Sequence, residues 1–190
     1  MPSAEWRAWS HVTKHLTLPT QLTILRILLV PVIGVMLAVD FTDHYQVGAV
    51  AYVAAAATDT LDGRIARSRN LVTELGKFLD PLADKLMVIT VLVILASQSL
   101  VPSWVVVVVA AREFLITGLR SVAAGQGVVV SSTQLGKSKA FTQNIMILLI
   151  ILAQPYPPLE PAAVVFIWIA VIATVLSGLD YLWRYRRFII

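Results

Sequence analysis

The chain has no cysteine, which excludes disulfide bridges and thiolate metal ligands and leaves the cellular compartment undecided. Histidine is scarce. His11, His15 and His44 fall in flanks or a polar loop, too scattered to form a metal cluster, and each reads as a solvated side chain. Charge is scarce as well, at 14% of 190 residues, and no polar stretch is long enough for a separate soluble domain. There is no internal repeat and no low-complexity tail. The N-terminus lacks a short apolar core followed by a small-residue cleavage site. The expectation is therefore no removable signal peptide, with the first apolar span directing insertion.

Hydrocarbon fills the space that charge leaves: 58% of residues are hydrophobic and the mean hydropathy is +0.81. A stretch of about 20 apolar residues reads as a membrane span. Six fit the sequence, at 19–39, 47–67, 77–97, from the loop around Pro102 to 124, 136–153 and 161–182. The expected fold is a single all-α integral membrane domain, 1–190, with six transmembrane helices. Residues 1–18 form a juxtamembrane segment in which Trp6, Trp9, Val12 or Thr13, and Leu16 recur at helical spacing. That suits an amphipathic helix in the headgroup region, anchored by tryptophan, with a frayed tail as the alternative.

The net charge of +4 and pI near 9.6 reflect topology rather than nucleic-acid binding. The loops at 40–46, 97–103 and 154–161 carry no lysine or arginine. Every basic residue lies on the opposite side or in a span opening towards it. By the positive-inside rule both termini face the cytoplasm of a multi-pass cell-membrane protein.

The stretch from Thr58 to Lys85 concentrates the acids. Asp59 and Asp62 close the second span three residues apart; Asp80 and Asp84 open the third, four apart. Both spacings put a pair on one helix face. An antiparallel hairpin of the two spans would bring all four carboxylates together at the cytoplasmic side. So much negative charge beside a bilayer demands cations. Oxygen-only donors select hard divalent ions, Mg²⁺ or Mn²⁺, and two such ions bridged by carboxylates can clamp a diphosphate. Gly63 and Ala66, one turn on, leave room for a nucleotide, and Arg67 offers a planar fork for phosphate. An ion-paired hairpin with Arg64, Arg67, Arg69, Lys77 and Lys85 would explain neutrality, but not the clustering of four acids.

Asp59, Asp62, Gly63, Ala66, Arg67, Gly76, Asp80 and Asp84 match, without departure, the D-x2-D-G-x2-A-R-x8-G-x3-D-x3-D signature, so the chain resembles the CDP-alcohol phosphotransferases. Eight fixed positions make the match specific. The resemblance implies a six-helix membrane fold, a homodimer, and a divalent-metal site held by Asp59, Asp62, Asp80 and Asp84, with Asp84 also the general base. By the same matching, Gly63, Ala66, Arg67, Thr73 and Gly76 would line the site for the CDP-linked lipid. The first-span segment P-T-Q-L-T-I-L-R-I and the runs A-R-E-F-L-I-T-G-L-R and S-S-T-Q-L-G-K-S-K-A-F-T-Q are similar to the branch that joins CDP-diacylglycerol to glycerol 3-phosphate. Thr20 and Ala140 depart from that branch, where asparagine and threonine are usual. Inositol phosphate or phosphatidylglycerol as acceptor remains an alternative, and a cation-binding transporter a distant one.

A dianionic acceptor needs cations in its cavity. Arg112 lies well inside the fourth span, where arginine is costly unless it faces water or a partner. Glu113, Thr117 and Arg120 share one stripe of that helix, with Arg112 about 100° away. Lys137 and Lys139 open the fifth span on the same side, serving topology or the acceptor phosphate nearly equally well. Arg26, in the first span, falls between these cases.

Overall fold

The computed structural model describes residues 17–68, 74–126 and 133–186. The juxtamembrane reading of residues 1–16, and Thr73, lie outside the described residues. The described residues form six long helices and no strand: α1 Leu18–Ala38, α2 His44–Ser68, α3 Glu74–Ser97, α4 Ser103–Gly125, α5 Gln134–Ala153 and α6 Glu160–Tyr185, with a 3₁₀ turn at Pro157–Leu159. Each sequence span falls inside one helix, within a few residues at either end.

Among the described residues, three helices are long and apolar enough to cross a membrane by composition alone: α1, α5, and α6 with its preceding turn. α2, α3 and α4, at 23 to 25 residues, match them in length. At 1.5 Å per residue they reach about 34–37 Å, against a hydrocarbon core of about 30 Å. They fall short in composition because the acids and arginines of interest sit on them.

The bundle is apolar on its outer surface, and a minority of polar side chains lies buried within an otherwise apolar core. Val50, Phe114 and Phe141 are each about two-thirds exposed or more, whereas Thr20, Arg26, Gln143, Thr174 and Ser177 are buried. In lipid, apolar surface gains nothing by burial, so polar side chains and close backbones hold helices together. The Tyr52 hydroxyl of α2 donates to Asn144 Oδ1 of α5 at 2.6 Å, and Gln143 Nε2 of α5 donates to Thr174 Oγ1 of α6 at 2.9 Å. A methyl group on Gly48 would overlap Leu37, so glycine lets α2 approach α1 closely.

Among the described residues, α2 and α3 pack on other helices rather than along a shared hairpin seam. Each packs on α1 and on α5. The reason lies in α1, whose polar stripe of Thr20, Thr23 and Arg26 is buried and needs polar neighbours. Thr23 finds one across the bundle, donating its hydroxyl to Asp80 Oδ1 at 2.6 Å.

Short loops join the helices on the side away from the acids. α3 stops in a Schellman motif: the amides of Leu100 and Ser99 donate to the carbonyls of Leu95 and Ala96, with Ser99 at φ 62°. Serine pays for this left-handed conformation as glycine would not. Ser99→Gly should raise stability by about 0.5–1 kcal/mol, read as a higher midpoint of thermal unfolding in detergent. An unchanged or lower midpoint contradicts this account of the turn.

Candidate active site

Asp59, Asp62, Gly63, Ala66 and Arg67 occupy the C-terminal part of α2, where the helical backbone sets the two acids three residues apart. Their side chains are not among those described. Gly76, Asp80 and Asp84 lie in the first half of α3; Gly76 is buried, Asp80 exposed and Asp84 half-buried. Pro81, inside the helix, separates the two acids.

Asp84 lines a cavity of about 250 Å³ that is also walled by Arg112, Arg120, Lys137 and Lys139. The structure thus brings one signature acid together with all four candidate cations. Glu113 and Thr117 line it too, so the stripe expected on α4 faces inward, and the long Arg112 side chain reaches the same space from beside it. The inward reading of Arg112 holds.

Three of the cations are anchored by partners on α4 and α6. Glu113, 6% exposed, pairs with Lys139 and accepts from Arg112 Nη1 at 3.2 Å. Arg112 Nη2 donates to Ser177 Oγ of α6 at 2.5 Å. Arg120 Nη2 donates to the Tyr181 hydroxyl at 2.6 Å, and both guanidinium groups lie over the Tyr181 ring, at 5.5 Å for Arg112 and 5.2 Å for Arg120. The Nε atoms of Arg112 and Arg120 are buried with no hydrogen-bond partner among the described residues. A buried guanidinium N–H left unmatched is costly, so both arginines hold unspent capacity for an anion. The two lysines, indistinguishable in sequence, now differ. Lys139 is buried against Glu113, whereas Lys137 is exposed at the rim.

Thr133 caps α5, its hydroxyl accepting from the Gly136 amide at 3.1 Å, and its own amide donates to the Tyr181 hydroxyl at 3.1 Å. Tyr181, Ser177 and Thr133 were not singled out from sequence as site residues. A tyrosine and a serine inside an otherwise apolar helix were the available signal, since polar groups in a span face the bundle. Arg26 is 2% exposed and lines an apolar groove between α1 and α2 that runs to Thr58, beside Asp59.

A family model described as CDP-alcohol phosphatidyltransferase matches residues 16–176. The chain is 41% identical over 178 residues to the CDP-diacylglycerol–glycerol-3-phosphate 3-phosphatidyltransferase of Bacillus subtilis, covering 86% of this chain and 92% of that protein. It is 37% identical over 167 residues to the protein of the same name from Rickettsia typhi, covering 86% and 94% of the two. An Arabidopsis thaliana protein, CDP-diacylglycerol–glycerol-3-phosphate 3-phosphatidyltransferase 2, is 32% identical over 191 residues, covering 90% and 82%. With an intact eight-position signature, a family match across most of its length and relatives this similar end to end, the chain belongs to the CDP-alcohol phosphatidyltransferase family.

Proposed function

We propose that the protein transfers the phosphatidyl group of CDP-diacylglycerol to glycerol 3-phosphate, giving phosphatidylglycerophosphate and CMP in phospholipid biosynthesis. The observation that carries this reading is the single cavity shared by Asp84, Arg112, Arg120, Lys137 and Lys139. Glycerol 3-phosphate brings a dianion and a primary hydroxyl. The cations answer the first and the carboxylate the second. The names of the similar proteins from Bacillus, Rickettsia and Arabidopsis support the same donor and acceptor.

In this mechanism Arg112, Arg120, Lys137 and Lys139 hold the acceptor phosphate and orient the glycerol towards Asp84. Asp84 takes the proton of the primary hydroxyl. The oxygen attacks the phosphorus bearing diacylglycerol, a P–O bond forms, and the bond to the CMP oxygen breaks. Glu113 is engaged by Arg112 and Lys139, and the base in this reading is Asp84, the signature acid on the cavity wall. Gly63, Ala66, Arg67, Thr73 and Gly76 bind the CDP-linked lipid. Asp59, Asp62, Asp80 and Asp84 fit a pair of Mg²⁺ or Mn²⁺ ions because every donor is a hard oxygen, with Thr23 orienting the Asp80 carboxylate. Such ions, when bound, neutralise the diphosphate and the departing phosphate.

All six helices cross the cell membrane in this reading, with both termini and the site cytoplasmic. The lysine-free, arginine-free loops on the far side support that orientation. The active form is a homodimer. Purified protein given CDP-diacylglycerol and a panel of acceptors should release CMP with glycerol 3-phosphate; release with inositol phosphate alone overturns the acceptor. Thorough chelation should stop release, and Mg²⁺ or Mn²⁺ should restore it. Full activity after chelation overturns the metal assignment.

A further inference from the structure

We infer that Tyr181 is a positioning residue that fixes the two arginines of the acceptor pocket, and so sets affinity for the acceptor phosphate. This rests on the acceptor reading above. Arg112 and Arg120 are eight residues apart on α4, which separates their Cα atoms by about 12 Å along the helix axis. Two guanidinium groups so spaced, and of like charge, would not by themselves converge on one small anion. Tyr181 of α6 closes the gap. Its ring lies within 6 Å of both guanidinium carbons, inside the range where the negative ring face attracts a cation.

The hydroxyl adds direction. It accepts from Arg120 Nη2 at 2.6 Å and from the Thr133 amide at 3.1 Å, tying α4 and the start of α5 to one atom of α6. Tyr181 itself is 1% exposed, so ring and hydroxyl have little freedom to move. Glu113 and Ser177 hold Arg112 from its other side. The Nε atoms of both arginines are buried and make no hydrogen bond among the described residues.

Tyr181→Phe keeps the ring and removes the acceptor. Its KM for glycerol 3-phosphate should rise about tenfold, the factor carried by one hydrogen bond to a charged group. The kcat should stay within about twofold and the KM for CDP-diacylglycerol should not move. Tyr181→Leu, which removes the ring as well and suits an apolar helix, should raise the acceptor KM further. In an Arg120→Ala background, Tyr181→Phe should add much less than it does alone, because the two act as a unit. An unchanged acceptor KM in both Tyr181 variants overturns the proposal. So does a rise shared equally by the CDP-diacylglycerol KM, or full additivity with Arg120→Ala. Wild-type protein that releases no CMP with glycerol 3-phosphate would instead overturn the acceptor reading, and this proposal with it.

Discussion

Asp84→Asn should lower CMP release by about 10²–10⁴-fold, the contribution expected of a positioned general base. Asparagine keeps the size of the side chain at the cavity wall and removes the group that accepts the hydroxyl proton. Binding of the CDP-linked lipid should persist, because the described residues assigned to it belong to the C-terminal part of α2 and the start of α3. Turnover measured as CMP release, with lipid binding measured separately, checks both halves. Near-normal turnover removes Asp84 from the role of base. Loss of lipid binding in parallel would assign it to holding the substrate instead.

Much of this site could be read before any coordinates. An arginine deep in an apolar span has few affordable environments, and Arg112 occupies the expected one, against a carboxylate and a serine inside the bundle. Helical periodicity placed Glu113, Thr117 and Arg120 on one stripe, and all three line the cavity. Span ends were legible because the apolar runs break at short polar or proline-bearing loops, as at Asp40 and around Pro102.

What could not be read was partnership across distant helices. Thr23 and Asp80 are 57 residues apart, Arg112 and Ser177 are 65 apart, and nothing local marks either pair. Periodicity gives each helix a face without saying which helix that face meets. For that reason α2 and α3 read as natural partners, joined by a short connection and rich in acids, although among the described residues each packs most extensively on α1. The lysines show the same limit. Lys137 and Lys139 are two residues apart on one helix, and only the position of Glu113 on α4 decides which becomes buried.

Glu113→Gln should then be the variant in which folding and binding oppose each other. Its carboxylate is shared by Arg112 and Lys139, with both partners of the lysine pair 7% exposed. Removing one member of a buried ion pair costs about 3–5 kcal/mol, because the remaining charge stays buried without its partner. The lower end, about 3 kcal/mol, is expected here since an open cavity adjoins the cluster. The thermal midpoint in detergent should therefore fall well below that of the wild type. The vacated neighbourhood is, however, more positive by one unit and suited to a dianion. Glycerol 3-phosphate binds only the folded protein and stabilises it by RT ln(1 + [L]/Kd). At equal concentration it should recover more of the midpoint in Glu113→Gln than it adds to the wild type, while glycerol, lacking the phosphate, recovers none. A midpoint that falls but does not respond to glycerol 3-phosphate would make Glu113 a purely structural counter-ion. A midpoint that does not fall would mean that Arg112 and Lys139 find other partners.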